Sequence, residues 1–186
     1  MLYLVFVSAV AFAPFALADP PGKTIVEVAR EINADTGEFS TLLAAISAAD
    51  PAVLNTLSGD GQFTVFAPTD AAFRVIEMDK DNVGTAFRQD VLTSILLYHV
   101  SPDSLYRKAV VASERIPTLL RGKEGFLFQN AGVLRDNLGR ETNIIRTDIE
   151  ASHGTIHVIN RVLLPRLLIG TYVIMKQAGS FGTAIS

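Results

Sequence analysis

The three histidines are the side chains of this sequence best suited to catalysis or metal binding. His153 and His157 are four residues apart, and on a helix that spacing would place two imidazoles on one ion. Gly154 and the β-branched run after it instead predict a turn and a strand, where residues four apart lie ~13 Å from each other. The sequence contains no cysteine to complete a zinc site. We therefore expect no metal at this pair.

His99 and its neighbour Tyr98 end an amphipathic stretch of sequence. Apolar residues at helical spacing predict a helix over residues 88–99. We expect His99 to be a buried, neutral imidazole that hydrogen-bonds the backbone. A positively charged imidazole at this helix end would also interact favourably with the helix dipole.

Acidic residues supply two weaker candidates for chemistry. Residues 79–84 resemble part of a calcium loop with Asp90 at its twelfth position, but Val83 stands where an oxygen ligand is needed. A polar connection between helices is the favoured interpretation. Asp148 and Glu150 lie among other charges on a β-prone stretch. With no nucleophile elbow and no glycine-rich phosphate loop in the sequence, we predict no enzyme activity and no cofactor.

Composition limits the class of protein. The chain has 186 residues, of which 49% are hydrophobic and 19% charged, and this favours one ordinary globular domain. Lys and Arg number 16 against 19 Asp and Glu, a formal net charge of -3, so we expect no nucleic-acid binding. The absence of cysteine excludes a disulfide framework and a cysteine nucleophile.

The first eighteen residues have no charged side chain and end in Ala16-Leu17-Ala18, a pattern typical of signal peptidase sites. We predict a signal peptide over 1–18, a linker over 19–23, and a secreted or periplasmic protein. The alternative is a retained anchor, since the run approaches the length of a spanning helix. If the signal is cleaved, no stable transmembrane anchor is expected.

The remaining chain divides into a helical half and a strand half. Thr24 can cap a helix from residue 25, Asp50-Pro51 can begin another, and Thr69 or Asp70 can cap a third. A short β-prone run over 63–66 lies between the last two of these. Beyond Pro102, runs at 110–111, 116–120, 126–128, 133–134, 143–145 and 156–164 predict strands, and 135–141 a charged hairpin or surface loop. Helices followed by strands indicate an α+β fold.

Three blocks of sequence resemble the signature motifs of the fasciclin-like domain family. Residues 63–73 (Phe-Thr-Val-Phe-Ala-Pro-Thr-Asp-Ala-Ala-Phe) resemble the first, and residues 154–165 (Gly-Thr-Ile-His-Val-Ile-Asn-Arg-Val-Leu-Leu-Pro) resemble the second. Between them, Leu96-Leu97-Tyr98-His99-Val100 is similar to the family's Tyr-His motif. The resemblance covers residues 24–165 and leaves 166–186 as an extension of unknown role.

The resemblance implies N-terminal helices packed on a mostly antiparallel β-sheet wedge. Within the signature blocks we expect Gly154 to supply a tight turn and Pro165 to close the last strand. The signature positions are expected to be mainly structural: Phe63, Phe66, Pro68, Thr69, Asp70, Phe73, Gly154, His157 and Pro165.

The resemblance also implies a non-enzymatic adhesion module whose partner is a cell-surface or matrix protein or a polysaccharide, with weak self-association. In animal relatives the Tyr-His region is associated with adhesion, so Tyr98 and His99 are the candidate adhesion motif. The alternative is that both residues only pack the helix against the sheet. A second hypothesis is a soluble carrier of a small apolar or carbohydrate ligand, with a pocket lined by Phe73, Phe87 and Tyr98.

Overall fold

The computed structural model describes residues 22–59 and 61–166. The predicted signal peptide, residues 19–21 of the predicted linker, and the extension beyond residue 166 lie outside these residues. In chain order the helices are α1 (Ile25–Thr36), α2 (Ser40–Ala48), α3 (Pro51–Ser58), α4 (Asp70–Arg74), α5 (Val83–Ala86), α6 (Gln89–Tyr98) and α7 (Arg107–Ala112).

Local capping chemistry fixes where several helices begin. The Thr24 hydroxyl accepts the N–H of Glu27, whose carboxylate accepts the N–H of Thr24, so α1 begins with a capping box. The Asp50 carboxylate caps α3, which has Pro51 at its first position. These starts confirm the predictions from sequence.

The strands form one seven-stranded sheet in the order β2-β1-β7-β6-β5-β4-β3. Their bounds are β1 (Phe63–Pro68), β2 (Val100–Pro102), β3 (Arg115–Pro117), β4 (Phe126–Asn130), β5 (Val133–Arg135), β6 (Glu141–Ala151) and β7 (Gly154–Ile159). Only β1 and β7 pair in parallel; every other neighbouring pair is antiparallel. Helices on a mostly antiparallel sheet confirm the predicted α+β class.

The sheet curls until its two edges meet. Just after β3, the N–H of Leu119 donates to the carbonyl of Val100 in β2 at 2.7 Å. The buried apolar residues of the described chain form two cores. The first lies between the helices and one face of β1 and β7, and the second lies within the curl and comprises Phe66, Tyr98, Val110, Ile116, Leu127, Leu134, Ile159 and Leu163.

β7 contributes to both cores, as the alternation of its residues predicts. Ile156 and Val158 belong to the first core, whereas Ile159 belongs to the second. His157 packs beside Phe66 of β1, with the two ring centroids 5.7 Å apart and the ring planes tilted by 31°. Every residue of β7 is buried, so this strand is the centre of the fold.

The predicted strand at 110–111 is wrong, because these residues lie in α7. Val110 is fully buried in the second core while Val111 is 38% exposed. The Asp148 carboxylate accepts the N–H of Arg107 at the first turn of the helix. Packing and this contact outweigh the β-propensity of two adjacent valines. The predicted strand at 116–120 is shorter, since β3 ends at Pro117.

One expectation for the second signature block is also wrong. The last strand ends at Ile159 and not at Pro165, because the N–H groups of Leu163 and Leu164 donate to side chains rather than to a neighbouring strand. The expected tight turn is present at Ser152 and His153, and Gly154 follows it as the first residue of β7, paired with Ala151 and with φ outside the left-handed region. Glycine is required there for space, since a Cβ would collide with the carbonyl oxygen of Phe63.

Candidate functional site around Tyr98 and His99

Tyr98 and His99 lie where α6 passes into β2, and both side chains point inward. Tyr98 is fully buried in the second core, where its hydroxyl donates to the carbonyl of Phe126 at 2.9 Å and accepts the N–H of Asn137 at 3.2 Å. Burial, and then the nearby Asp136 carboxylate, raise the pKa of the phenol. Tyr98 is therefore uncharged, and its hydroxyl fixes two segments: the start of β4 at Phe126 and the loop after β5 at Asn137.

His99 is 3% exposed and hydrogen-bonded at both ring nitrogens. Nδ1 lies 2.7 Å from the carbonyl of Ile95, and Nε2 lies 3.0 Å from the N–H of Leu163. Because a carbonyl only accepts and an N–H only donates, the proton must be on Nδ1. Burial lowers the pKa of the imidazole to about 4, which keeps it neutral.

A buried ion pair completes the environment of His99. The Asp136 carboxylate pairs with the Arg140 guanidinium at 2.6 Å and also accepts the N–H groups of Leu138 and Leu164. Arg140 in turn donates to the carbonyl of Val162 at 3.0 Å. His99, Asp136 and Arg140 therefore hold residues 162–164 against the core.

Asp136 is a residue that the sequence did not single out. The stretch over 135–141 was expected to be a charged hairpin or surface loop, and it does join β5 to β6, but Asp136 is only 2% exposed. The spacing of Asp136 and Arg140, with Gly139 in a left-handed turn between them, is the signal that could have indicated an internal pair.

The other two histidines are buried and hydrogen-bonded to the backbone. His153 Nε2 lies 2.8 Å from the carbonyl of Leu57. His157 Nε2 lies 2.8 Å from the carbonyl of Leu105, and its Nδ1 accepts the N–H of Asp148. Burial lowers the pKa of His157. Across residues 22–59 and 61–166, no cluster of three potential ligands is spaced to hold a metal ion.

The acidic residues of the calcium-like stretch bond to neighbouring residues of the chain. The Asp79 carboxylate accepts the N–H groups of Asp81 and Asn82, and Asp90 pairs with Arg88 at 2.6 Å. These contacts organise a connection between helices.

In the first signature block, Thr69 and Asp70 have different tasks. The Thr69 hydroxyl accepts the N–H of Ala72 and caps α4. The Asp70 carboxylate accepts the N–H of Thr41 at 2.8 Å and ties α4 to α2. Three other side chains of the block are placed by burial: Phe63 packs partly buried on the first core, Phe66 is in the second core, and Phe73 is in the first.

The pocket expected for a carrier is not assembled from the residues predicted for it. Phe73 and Phe87 are buried in the first core, whereas Tyr98 is buried in the second. The three rings therefore lie on opposite sides of the central strands and do not line a shared cavity.

Comparison with known proteins gives concordant matches. A profile of the Fasciclin domain matches residues 37–165. Protein sll1483 of Synechocystis is 38% identical over 143 residues, covering 76% of this chain and 73% of that protein. Immunogenic protein MPB70 of Mycobacterium bovis is 31% identical, covering 82% of this chain and 79% of that protein.

Two further matches are to longer proteins. Transforming growth factor-beta-induced protein ig-h3 of Sus scrofa is 32% identical over 89% of this chain, which spans only 24% of that relative. The solved structure of a FAS1 domain pair from the insect cell adhesion molecule Fasciclin I aligns with a TM-score of 0.53 at 19% identity. That alignment covers 69% of this chain and 46% of the pair, and it supports the fold.

Within the part of the chain that the structure describes, no helix has the length and apolar character needed to cross a membrane. The matched profile includes both signature blocks and the Tyr98-His99 junction, and the fold agrees with a solved FAS1 domain pair. The chain therefore belongs to the fasciclin domain family.

Proposed function

We propose that this protein is a secreted or periplasmic, non-enzymatic adhesion module that contacts a cell-surface or matrix protein or a polysaccharide. Family membership supports this class of function. The solved structure that it resembles belongs to a cell adhesion molecule. A single weak contact gains strength when many copies act together, so display on a surface suits such a module.

One structural observation carries the proposal. The side chains best suited to chemistry are used to hold the fold: each of the three histidines bonds a backbone carbonyl through one ring nitrogen, and Asp136 is paired with Arg140. Because these partners occupy the histidines and Asp136, we place the function on the outer surface, where an adhesion module makes its contacts.

The same burial bears on the candidate adhesion motif. Tyr98 and His99 are 0% and 3% exposed, so a partner cannot touch either side chain in this fold. Any contribution of the pair to adhesion acts through the surface that they support, and a role of the motif in adhesion stays a prediction.

A bead assay tests the proposal. Microspheres coated with the chain from Asp19 onward should cluster with one another or attach to immobilised envelope or matrix material, whereas albumin-coated microspheres should not. Microspheres that remain dispersed and unattached at every coating density would contradict adhesion. N-terminal sequencing of the exported protein checks the predicted cleavage after Ala18 independently.

A further inference from the structure

The outward face of β3, β4 and β5 presents one row of residues in register. Arg115 lies opposite Phe128, which lies opposite Arg135. All three are exposed, because the adjacent residue in each strand points into the second core. The loop that joins β3 to β4, at the other end of this hairpin from Arg115, carries two further exposed cations, Arg121 and Lys123. We call these five residues the cationic face.

Arg115 is positioned by aromatic rings rather than by a carboxylate. Its guanidinium carbon lies 4.1 Å from the ring centroid of Phe126 and 5.5 Å from that of Phe128. Among the described residues, no acidic oxygen lies within 4.0 Å of this guanidinium. The rings orient the cation without neutralising its charge.

The net charge of the whole chain conceals a strong asymmetry. Residues 105–166 carry ten Lys and Arg against six Asp and Glu, whereas residues 23–104 carry five against twelve. The ion pairs Asp136–Arg140 and Glu141–Arg135 each remove one acid and one base, so the excess of positive charge is unchanged by them. The strand half therefore has an excess of positive charge on its surface, which attracts anionic partners.

A groove of about 730 Å³ adjoins this row, lined by residues of β4, β5 and the start of β6 together with Glu114. Its lining combines the exposed Phe128 ring and the amides of Gln129 and Asn130 with the charged side chains of Glu114, Arg135 and Glu141. An exposed ring can pack against the C–H face of a sugar, and amide and carboxylate groups can bond its hydroxyls. Guanidinium groups match carboxylate and sulfate oxygens in two-pronged hydrogen bonds.

We propose that the cationic face binds an acidic polysaccharide, a sugar polymer that carries carboxylate or sulfate groups. This inference rests on the proposed adhesion function and specifies its partner class. Phe128 contacts a sugar ring, while Arg115 and the loop cations pair with anionic groups along the chain. The charge of the strand half selects an anionic polymer over a neutral one.

Binding to three polymers with the same backbone tests the proposal: dextran, carboxymethyl dextran and dextran sulfate. The chain from Asp19 onward should bind at least one charged dextran and not neutral dextran, and added salt should weaken the binding. The two charged polymers distinguish carboxylate from sulfate recognition. Arg115→Glu with Lys123→Glu should weaken binding about tenfold.

A matched control makes the same change of charge elsewhere. Arg30→Glu with Arg74→Glu alters two exposed cations of the helical half and should leave binding unchanged. Because Arg115 also packs on two rings, Arg121→Ser with Lys123→Ser provides a second test confined to the loop. This loop pair should weaken binding while the circular dichroism spectrum stays native.

Several outcomes would overturn the proposal. The first is binding to neutral dextran as strong as to the charged dextrans. The second is a loss of binding in the Arg30→Glu, Arg74→Glu control as large as in the Arg115→Glu, Lys123→Glu variant. The third is no binding to any of the three polymers. Salt-sensitive dimers without polymer binding would assign the cationic face to a second copy and also overturn it. If the polymer test fails but coated beads still adhere, the adhesion function stands and only the acidic-polysaccharide partner is rejected. If the beads also do not adhere, both proposals are rejected.

Discussion

The Nε2 atom of His99 accepts the backbone N–H of Leu163 at 3.0 Å, joining the end of α6 to a segment 64 residues further along the chain. On the other side of the ring, Nδ1 donates to Ile95 in the preceding turn of α6. One imidazole thus connects the helical layer to the last buried segment of the described chain.

Replacing this imidazole should destabilise the fold. His99→Leu leaves the buried N–H of Leu163 without an acceptor, so we expect a loss of about 2 kcal/mol in the free energy of unfolding. His99→Gln can still accept and donate and should lose less. Urea denaturation of the three proteins measures the difference. Equal stability of the leucine variant and the native protein would show that the contact contributes nothing.

Stability should also fall as the pH is lowered. The unfolded imidazole of His99 has an ordinary pKa near 6.5, whereas burial lowers the folded pKa to about 4. Between these values the unfolded state binds the extra proton, so stability present above pH 6.5 is lost as the pH falls toward 4. The loss from this group is on the order of 3 kcal/mol.

Unfolding free energies measured at several pH values between 7 and 4.5 test this dependence. His99→Gln should have a flatter profile, because it removes the buried imidazole whose pKa is lowered to about 4. A profile with the same slope as the native protein would assign the acid sensitivity to other groups.

The buried and exposed ion pairs of the hairpin between β5 and β6 should differ in energy. Asp136→Asn leaves the Arg140 guanidinium without its anion and should cost about 3 kcal/mol. Glu141→Gln breaks the exposed pair with Arg135 and should cost less than about 0.5 kcal/mol. Thermal unfolding of both variants makes the comparison, and similar costs would refute it.

A variant of Tyr98 distinguishes a role in packing the fold from a direct role in adhesion. Tyr98→Phe keeps the ring in the second core but removes the hydroxyl that bonds Phe126 and Asn137, at a cost of about 1 kcal/mol. If the residue acts through packing, bead adhesion should fall only as far as the folded fraction does. Full stability with lost adhesion would instead assign Tyr98 a direct contact.

Two glycines should respond to substitution for different reasons. Gly154→Ala introduces a Cβ against the carbonyl oxygen of Phe63 and should cost about 3 kcal/mol. Gly37→Ala has open space around it but a φ of 69°, so its cost should be about 1 kcal/mol. Differential scanning calorimetry of both variants checks the order, and a larger effect at Gly37 would contradict it.

The parts of the fold that could be predicted from sequence are those controlled by neighbouring residues. Thr24 and Asp50 begin helices because each bonds an N–H two or three residues away. The alternation along β7 was likewise visible, since consecutive strand residues point to opposite faces.

The parts that could not be predicted depend on contacts between distant segments. Val110 is helical because it fills the curl of the sheet, and its own sequence favours a strand. Asp136 is buried because Leu164 and Arg140 surround it. Arg115 and Arg135 lie on the same face, on either side of Phe128, because of the register of three strands. The net charge of the chain does not depend on this register and therefore gave no indication of a cationic surface.

The parallel pairing of β1 with β7 has a consequence for biosynthesis. Strand β7, which joins β1 to β6, is the last strand of the described chain to leave the ribosome. Its first residue, Gly154, follows its β1 partner Phe63 by about ninety residues. A nascent chain that stops before Gly154 has nothing to join β1 to β6. The domain therefore cannot close cotranslationally until β7 is made, and such long-range pairing is slow to form. This delay keeps the incomplete domain open for as long as translation continues toward Gly154.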